Sequence, residues 1–124
     1  MKSISTLVLS LPLVTCSILA PLSRSTAQIV PDVNLGGTEN SVVNPDAING
    51  IPSDRIDGGA IRGSNLFHSF QEFNVLEGRG AYFSNPNGIT NILTRVTGRN
   101  PSNILGKLGV LGNANLFLLN PKGI

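Results

Sequence analysis

The sequence predicts an all-β chain that winds into stacked rungs. Three observations predict it. The composition is only 13% charged yet 40% hydrophobic, with 14 glycines and 8 prolines; this suits neither long helices nor the highly charged, weakly hydrophobic composition of disorder. Beyond Gly88 the apolar residues come in short β-prone runs, each closed by Asn, Gly or Pro, and short words recur among them. The one stretch with helix-like spacing, Phe67, Phe70 and Phe73, is not continued by a further apolar turn and is ended by Gly78 and Gly80.

A chain of 124 residues holds about one domain, and residues 1–27 read as a secretory signal peptide outside it. Lys2 supplies the positive start. No charge follows from Ile4 to Leu22, where Leu7, Val8, Leu9, Leu11, Leu13, Val14, Ile18 and Leu19 form an apolar core. Ser25-Thr26-Ala27 offers small residues for cleavage between Ala27 and Gln28. Pro12 and Pro21 interrupt the run, which argues against a membrane anchor and against stable membrane insertion. Cys16, the single cysteine, lies inside the leader, and Thr15 before it is larger than the residue a lipoprotein box places there. Cleavage at Ala27 therefore leaves a chain with no disulfide and no thiol nucleophile. It also removes Lys2 and Arg24, so the basic and acidic residues of the remainder balance. A near-neutral chain lacks the basic surface that nucleic acid requires.

Residues 28–65 are the least periodic. Ile29-Val30 and Ser41-Val42-Val43 are β-prone, and Gly36-Gly37, Asn44-Pro45, Asn49-Gly50 and Gly58-Gly59 read as turns between them. Asp54-Arg55-Ile56-Asp57 is the only local charge cluster. Two carboxylates are too few for calcium, which takes 6–8 oxygens, so a solvated turn is expected and no metal. Leu66–Val75 is the aromatic centre, expected as two short strands with a bend near Gln71-Glu72, with Phe67, Phe70 and Phe73 in core or cap packing. Gly80-Ala81-Tyr82-Phe83 follows as a strand, stopped by Asn85-Pro86-Asn87-Gly88.

The remainder is loosely repetitive. Residues 89–96, 103–110 and 115–119 are three β-prone runs, Asn-Ile-Leu occurs at 91–93 and 103–105, and Asn-Pro-x-Gly-Ile at 85–89 and 120–124. Repetition of this kind marks a solenoid, in which no rung can bury its apolar face alone. Leu116-Phe117-Leu118-Leu119, apolar without alternation, reads as a strand covered on both faces or buried where two layers meet. An uncapped solenoid end exposes a strand edge, so a chain stopping at Ile124 is expected to be a fragment or a truncated reading frame.

Residues 73–124, FNVLEGRGAYFSNPNGITNILTRVTGRNPSNILGKLGVLGNANLFLLNPKGI, closely resemble the N-terminal secretion domain of two-partner-secretion exoproteins, the haemagglutination-activity domain of filamentous haemagglutinins. The likeness is greatest to the versions in large cyanobacterial surface proteins, and it extends more weakly back through Ile56-Asp57-Gly58-Gly59 to Phe70. The resemblance implies a right-handed parallel β-helix with an N-terminal β cap and extra antiparallel strands, truncated here at its C-terminus. It implies recognition by a dedicated outer-membrane transporter through that partner's periplasmic domains, after export directed by the signal peptide, and a destination at the cell surface or outside. The family's Asn-Pro determinants fall on Asn85, Pro86, Asn87 and Gly88, and on Asn120, Pro121, Gly123 and Ile124. Gly88 stands where some members carry Leu, and Lys122 where the family usually has Asn. For each motif a turn role and a direct transporter contact are both open.

The function this implies is secretion targeting for an adhesin-like exoprotein. A passive surface-binding module is the alternative, as is a fragment inert by itself, since small domains struggle to bury enough surface. Catalysis has little support. The acids Asp32, Glu39, Asp46, Asp54, Asp57, Glu72 and Glu77 are scattered, and His68, the single histidine, sits within the aromatic stretch as a structural residue. No Cys/His metal spacing and no phosphate-cradling loop is present, so no catalytic residue, metal or cofactor is expected.

Overall fold

The computed structural model describes residues 28–124. The expected signal peptide and Cys16 lie outside the described residues. Nine strands are present among them: β1 (Ile29–Pro31), β2 (Ser41–Ile48), β3 (Ile51–Gly58), β4 (Ala60–Arg62), β5 (Asn65–Phe73), β6 (Gly80–Ser84), β7 (Asn91–Val96), β8 (Lys107–Leu111) and β9 (Asn115–Leu119). The only helical element among the described residues is the single 3-10 turn Gly37–Glu39.

The strands form two sheets. One runs β2-β3-β6-β8 and the other β1-β5-β7-β9, with β4 also paired to β5. β3, β6 and β8 are mutually parallel, as are β5, β7 and β9. The chain therefore passes three times from the β3-β6-β8 sheet to the β5-β7-β9 sheet, and each pass stacks on the last as a rung of a parallel β-helix. A lone parallel bridge between Val75 and Ile104 marks a further contact between rungs. The antiparallel partners β1, β2 and β4 belong to the amino-terminal part. The expected β-helix with an N-terminal β cap and antiparallel additions is the observed architecture.

Two local devices begin it. Asn49 (φ 54) and Gly50 (φ 75) form a two-residue turn closed by the Ile48–Ile51 pair; positive φ at both centres matches the twist of the strands it joins. Pro45 is not a turn residue as expected but lies mid-strand, opposite Asp54. It is tolerated because β2 is at the edge of its sheet, where a missing N–H breaks no ladder. Asp54-Arg55-Ile56-Asp57 is likewise not a solvated turn. It lies in β3, with Ile56 fully buried and Asp54, Arg55 and Asp57 half-buried. Asp57 accepts hydrogen bonds from Asn44 Nδ2 (2.7 Å), Arg55 Nε (3.0 Å) and the Ser84 hydroxyl, tying β2, β3 and β6 together.

The aromatic centre is one strand, not two. Val30 pairs with Glu72 but Pro31 pairs with Phe70, leaving Gln71 as an extra residue. This bulge shifts the two-residue alternation by one, so Phe70 and Phe73 both point inward at 0% and 1% exposure. Phe67 keeps the original parity and faces outward, outside the core. The core is a set of columns: Ile56, Phe83 and Val110 in one sheet, Leu66, Ile92 and Leu116 in the other. Phe70, Phe73 and Phe83 pack between them with ring centroids 5.2–6.5 Å apart. Leu116-Phe117-Leu118-Leu119 is not covered on both faces. Leu116 and Leu118 point inward, while Phe117 and Leu119 are 48% and 55% exposed.

These two environments separate two phenylalanines by energy. Phe83→Ala should lower unfolding free energy by about 3–5 kcal/mol, the usual cost of emptying a core ring site. Phe117→Ala should change it by about 0.5 kcal/mol or less. Denaturant titrations of the two variants check the pair.

Candidate recognition surface

The two Asn-Pro motifs share letters but not positions in the fold. The first follows β6, at the corner leading to β7; the second follows β9. Asn85 is built into its corner. Its Nδ2 donates to the carbonyls of Pro86 and Ile89 (both 3.1 Å), and its Oδ1 accepts from the Ala114 N–H on the next rung (2.9 Å). A Cβ on Gly112 would collide with that Oδ1, so only glycine lets the next corner come this close. Pro86 to Ile89 form a turn closed by the Ile89 N–H on the Pro86 carbonyl (3.2 Å), with Gly88 at φ 84. Pro86, Asn87 and Gly88 are exposed, and the Asn87 amide is bonded to no described residue.

Asn120 is also engaged. Its Oδ1 accepts from the Lys122 N–H (2.9 Å), and its Nδ2 donates to the Asn100 carbonyl and to Ser102 Oγ (both 3.0 Å). Gly123 N–H donates to the Asn120 carbonyl, and Ser102 N–H to the Gly123 carbonyl. The second turn is thus fastened to the loop that follows β7, with Pro121, Lys122, Gly123 and Ile124 exposed. Each motif pairs one locked asparagine with a displayed tip, a division the letters alone do not reveal.

The repeated Asn-Ile-Leu words are out of phase. Asn91-Ile92-Leu93 stacks not on 103–105 but between Asn65-Leu66-Phe67 and Asn115-Leu116-Phe117. This alignment stacks three asparagines, with Asn91 Nδ2 3.1 Å from Asn65 Oδ1 and Asn115 Nδ2 3.3 Å from Asn91 Oδ1. It also builds an outward column of Phe67, Leu93 and Phe117. Beside it lies a cavity of about 420 Å³ whose walls include Leu35, Phe67, Leu93 and Leu119, with Arg62 and Arg95 among its charged residues. Arg62 is held by Glu39 (2.7 Å). Sequence reasoning missed this surface; the shared Asn-aliphatic-aromatic or Asn-aliphatic-aliphatic pattern at 65, 91 and 115 was the available signal.

Asp32 anchors the amino-terminal segment over the same sheet. Ser69 Oγ and Thr97 Oγ1 donate to its Oδ2 at 2.7 and 2.6 Å, and the Asn34 N–H to its Oδ1 at 3.0 Å. Burial opposes its ionisation, but the bonds from Thr97, Ser69 and Asn34, with Arg95 nearby, hold its carboxyl below the usual value. Asp57 behaves alike: burial raises it, and bonds from Ser84, Asn44 and Arg55 together outweigh that and leave it lowered. His68 is buried between Phe70 and Phe83, its Nδ1 2.9 Å from Ser41 Oγ. Burial pushes its pKa down from 6.5 to about 4, against a smaller pull from Asp57. Its Nε2, like Thr94 Oγ1 on the neighbouring rung, has no hydrogen-bond partner among the described residues. A neutral, enclosed imidazole is poorly placed for proton transfer to a substrate. Among the described residues no group of three His, Cys, Asp or Glu side chains could hold a metal, and no helix is long and apolar enough to cross a membrane.

Two consequences can be measured. Between pH 6.5 and about 4 the unfolded chain binds a proton at His68 that the folded chain refuses. Stability should therefore fall by about 3 kcal/mol as pH drops through that window, and His68→Gln should flatten the slope there. The lowered carboxyls of Asp32 and Asp57 act separately, their contribution being lost only as pH falls below about 3.8. At the turns, Asn85→Ala should cost about 1–3 kcal/mol by orphaning the groups it serves, whereas Asn87→Ala should stay within about 0.5 kcal/mol; thermal unfolding of both checks this.

Neither a comparison with curated proteins nor one with solved structures finds a match. The family model of the TPS secretion domain matches residues 27–124, which takes in every strand and both Asn-Pro turns. The chain belongs to the TPS secretion domain family, and is a secretion-targeting domain of a two-partner-secretion substrate.

Proposed function

We propose that this domain leads an adhesin-like exoprotein to its outer-membrane transporter, whose periplasmic domains read the displayed tip Pro86-Asn87-Gly88 and the second turn at Asn120, Pro121, Gly123 and Ile124. In this reading residues 1–27 direct export and are removed between Ala27 and Gln28. The observation that carries it is the form of the first motif. Asn85 is consumed by three bonds that hold the corner, while the three residues after it are exposed and Asn87 engages no described residue. The fixed corner limits the backbone freedom lost on binding, and the unengaged Asn87 amide is available to bond a partner.

Backbone pairing supports a second element of contact. β8 and β9 are the outermost strands of the two parallel stacks among the described residues, and an outer strand can accept an added strand from a partner. The same edges would receive the rungs that follow in the exoprotein. Each rung added outside the cell buries apolar surface that Leu108, Val110, Leu116 and Leu118 leave half-covered, which disfavours return through the transporter.

The test is export of the full chain, with its own leader, from cells with and without a two-partner-secretion transporter. Release only with the transporter, several-fold lower for Asn87→Ala at unchanged thermal stability, is the expected result, with Gln28 as the amino-terminal residue of the product. Release independent of the transporter would reject the targeting reading. Equal release of the variant would remove the contact role from Asn87.

A further inference from the structure

The chain contains two Asn-Gly pairs, Asn49-Gly50 and Asn87-Gly88, and four Asn-Pro pairs, at Asn44, Asn85, Asn100 and Asn120. These differ in one chemical respect. An asparagine loses its amide when the backbone nitrogen of the next residue attacks its Cγ. A bond forms from that nitrogen to Cγ, the Cγ–NH2 bond breaks, and ammonia leaves with the proton of the attacking amide. Water then opens the cyclic imide at either carbonyl, leaving aspartate or isoaspartate, with no change of oxidation state. Proline has no N–H to give, so all four Asn-Pro asparagines are protected. Glycine presents the least hindered attacking nitrogen, so the two Asn-Gly pairs are the reactive candidates.

The fold separates them. Asn49 is held at φ 54 at the centre of a two-residue turn, flanked by the eight residue pairs that join β2 to β3. To bring its Cγ to the Gly50 nitrogen, Asn49 must leave the left-handed region and open the Ile48–Ile51 pair. Asn87-Gly88 is the exposed tip of a loop whose base, not whose tip, is clamped by Asn85. Neither the Asn87 amide nor the Gly88 N–H is engaged by a described residue. Rotation there opposes the 3.2 Å bond from Ile89 N–H to the Pro86 carbonyl, with the Asn85 bonds to the Pro86 and Ile89 carbonyls at the base. Open space does not separate the pairs, since no atom lies within 4 Å of a Cβ position on either Gly50 or Gly88; the difference lies in how the backbone is held. We propose that Asn87 is a spontaneous modification site in the folded protein, converting to aspartate and isoaspartate while Asn49 is spared. The product places a negative charge at the tip of the first Asn-Pro turn, and in its isoaspartate form lengthens the backbone there by one carbon. This chemistry stands whether or not a transporter reads the turn.

The full chain is aged in mildly alkaline buffer, folded and in denaturant, and its peptides are mapped for replacement of NH2 by OH and for isoaspartate by enzymatic methyl transfer. Modification at 87–88 several-fold faster than at 49–50 in the folded chain, with the two rates converging in denaturant, is the expected result. Asn87→Gln should remove the product from that peptide and leave 49–50 unchanged. Equal rates in the folded chain, a faster reaction at Asn49, or an unmodified Asn87 in a chain that reacts when denatured would each overturn the proposal.

Discussion

In-register parallel stacking is the constraint on which the rest of this molecule depends. Because Ile56, Phe83 and Val110 stand one above another, as do Leu66, Ile92 and Leu116, every inward position must suit its neighbours above and below. A change of one residue in the register would turn each apolar column outward. The same alignment that builds the core also decides the exterior: the asparagine stack at 65, 91 and 115 and the apolar column at 67, 93 and 117 are its by-products. Core and surface are therefore not independent designs. A substitution that slips one strand alters both.

Asparagine carries much of the irregular work, in three distinct ways. Asn49 supplies a left-handed backbone for a turn. Asn85, Asn120 and Asn74 use side-chain oxygens to satisfy backbone N–H groups at corners, where the ladder cannot reach them. Asn65, Asn91 and Asn115 bond one another along the stack. A low-charge chain needs such a substitute. Its ion pairs, Arg55 with Asp46 and Asp57, Arg62 with Glu39, and Arg79 with Asp54, are partly exposed and each contributes little.

Much of the architecture was legible because it is local. The strands at Ile29, Ser41 and Gly80, the Asn-Gly and Gly-Gly turns, and the rung-like runs after Gly88 follow from residue types within a few positions. What escaped was long-range. Asn91-Ile92-Leu93 and Asn103-Ile104-Leu105 are the same word, yet only the first lies in a strand stack, because pairing across a whole rung decides register. Pro45 lies within a strand because β2 is an edge strand, and Asp54 and Asp57 because Arg79 and Arg55 pair with them there; both reasons exist only once the neighbouring segments are known. At the candidate site the letters marked both Asn-Pro motifs but not which asparagine is spent on the fold and which is displayed.

The bond between Asp32 and Thr97 spans 65 positions of the chain, and β1 must find Phe73 and Phe70 on β5 before it can pair at all. The strand nearest the described amino end therefore has no mate until β5 is present. The hairpin of β2 and β3 can close at once, since its partners adjoin, but the bonds of Asp32 wait for Ser69 and Thr97. The first strand is thus held only once residues as far along as Thr97 are in place, and β8 and β9 are added after it.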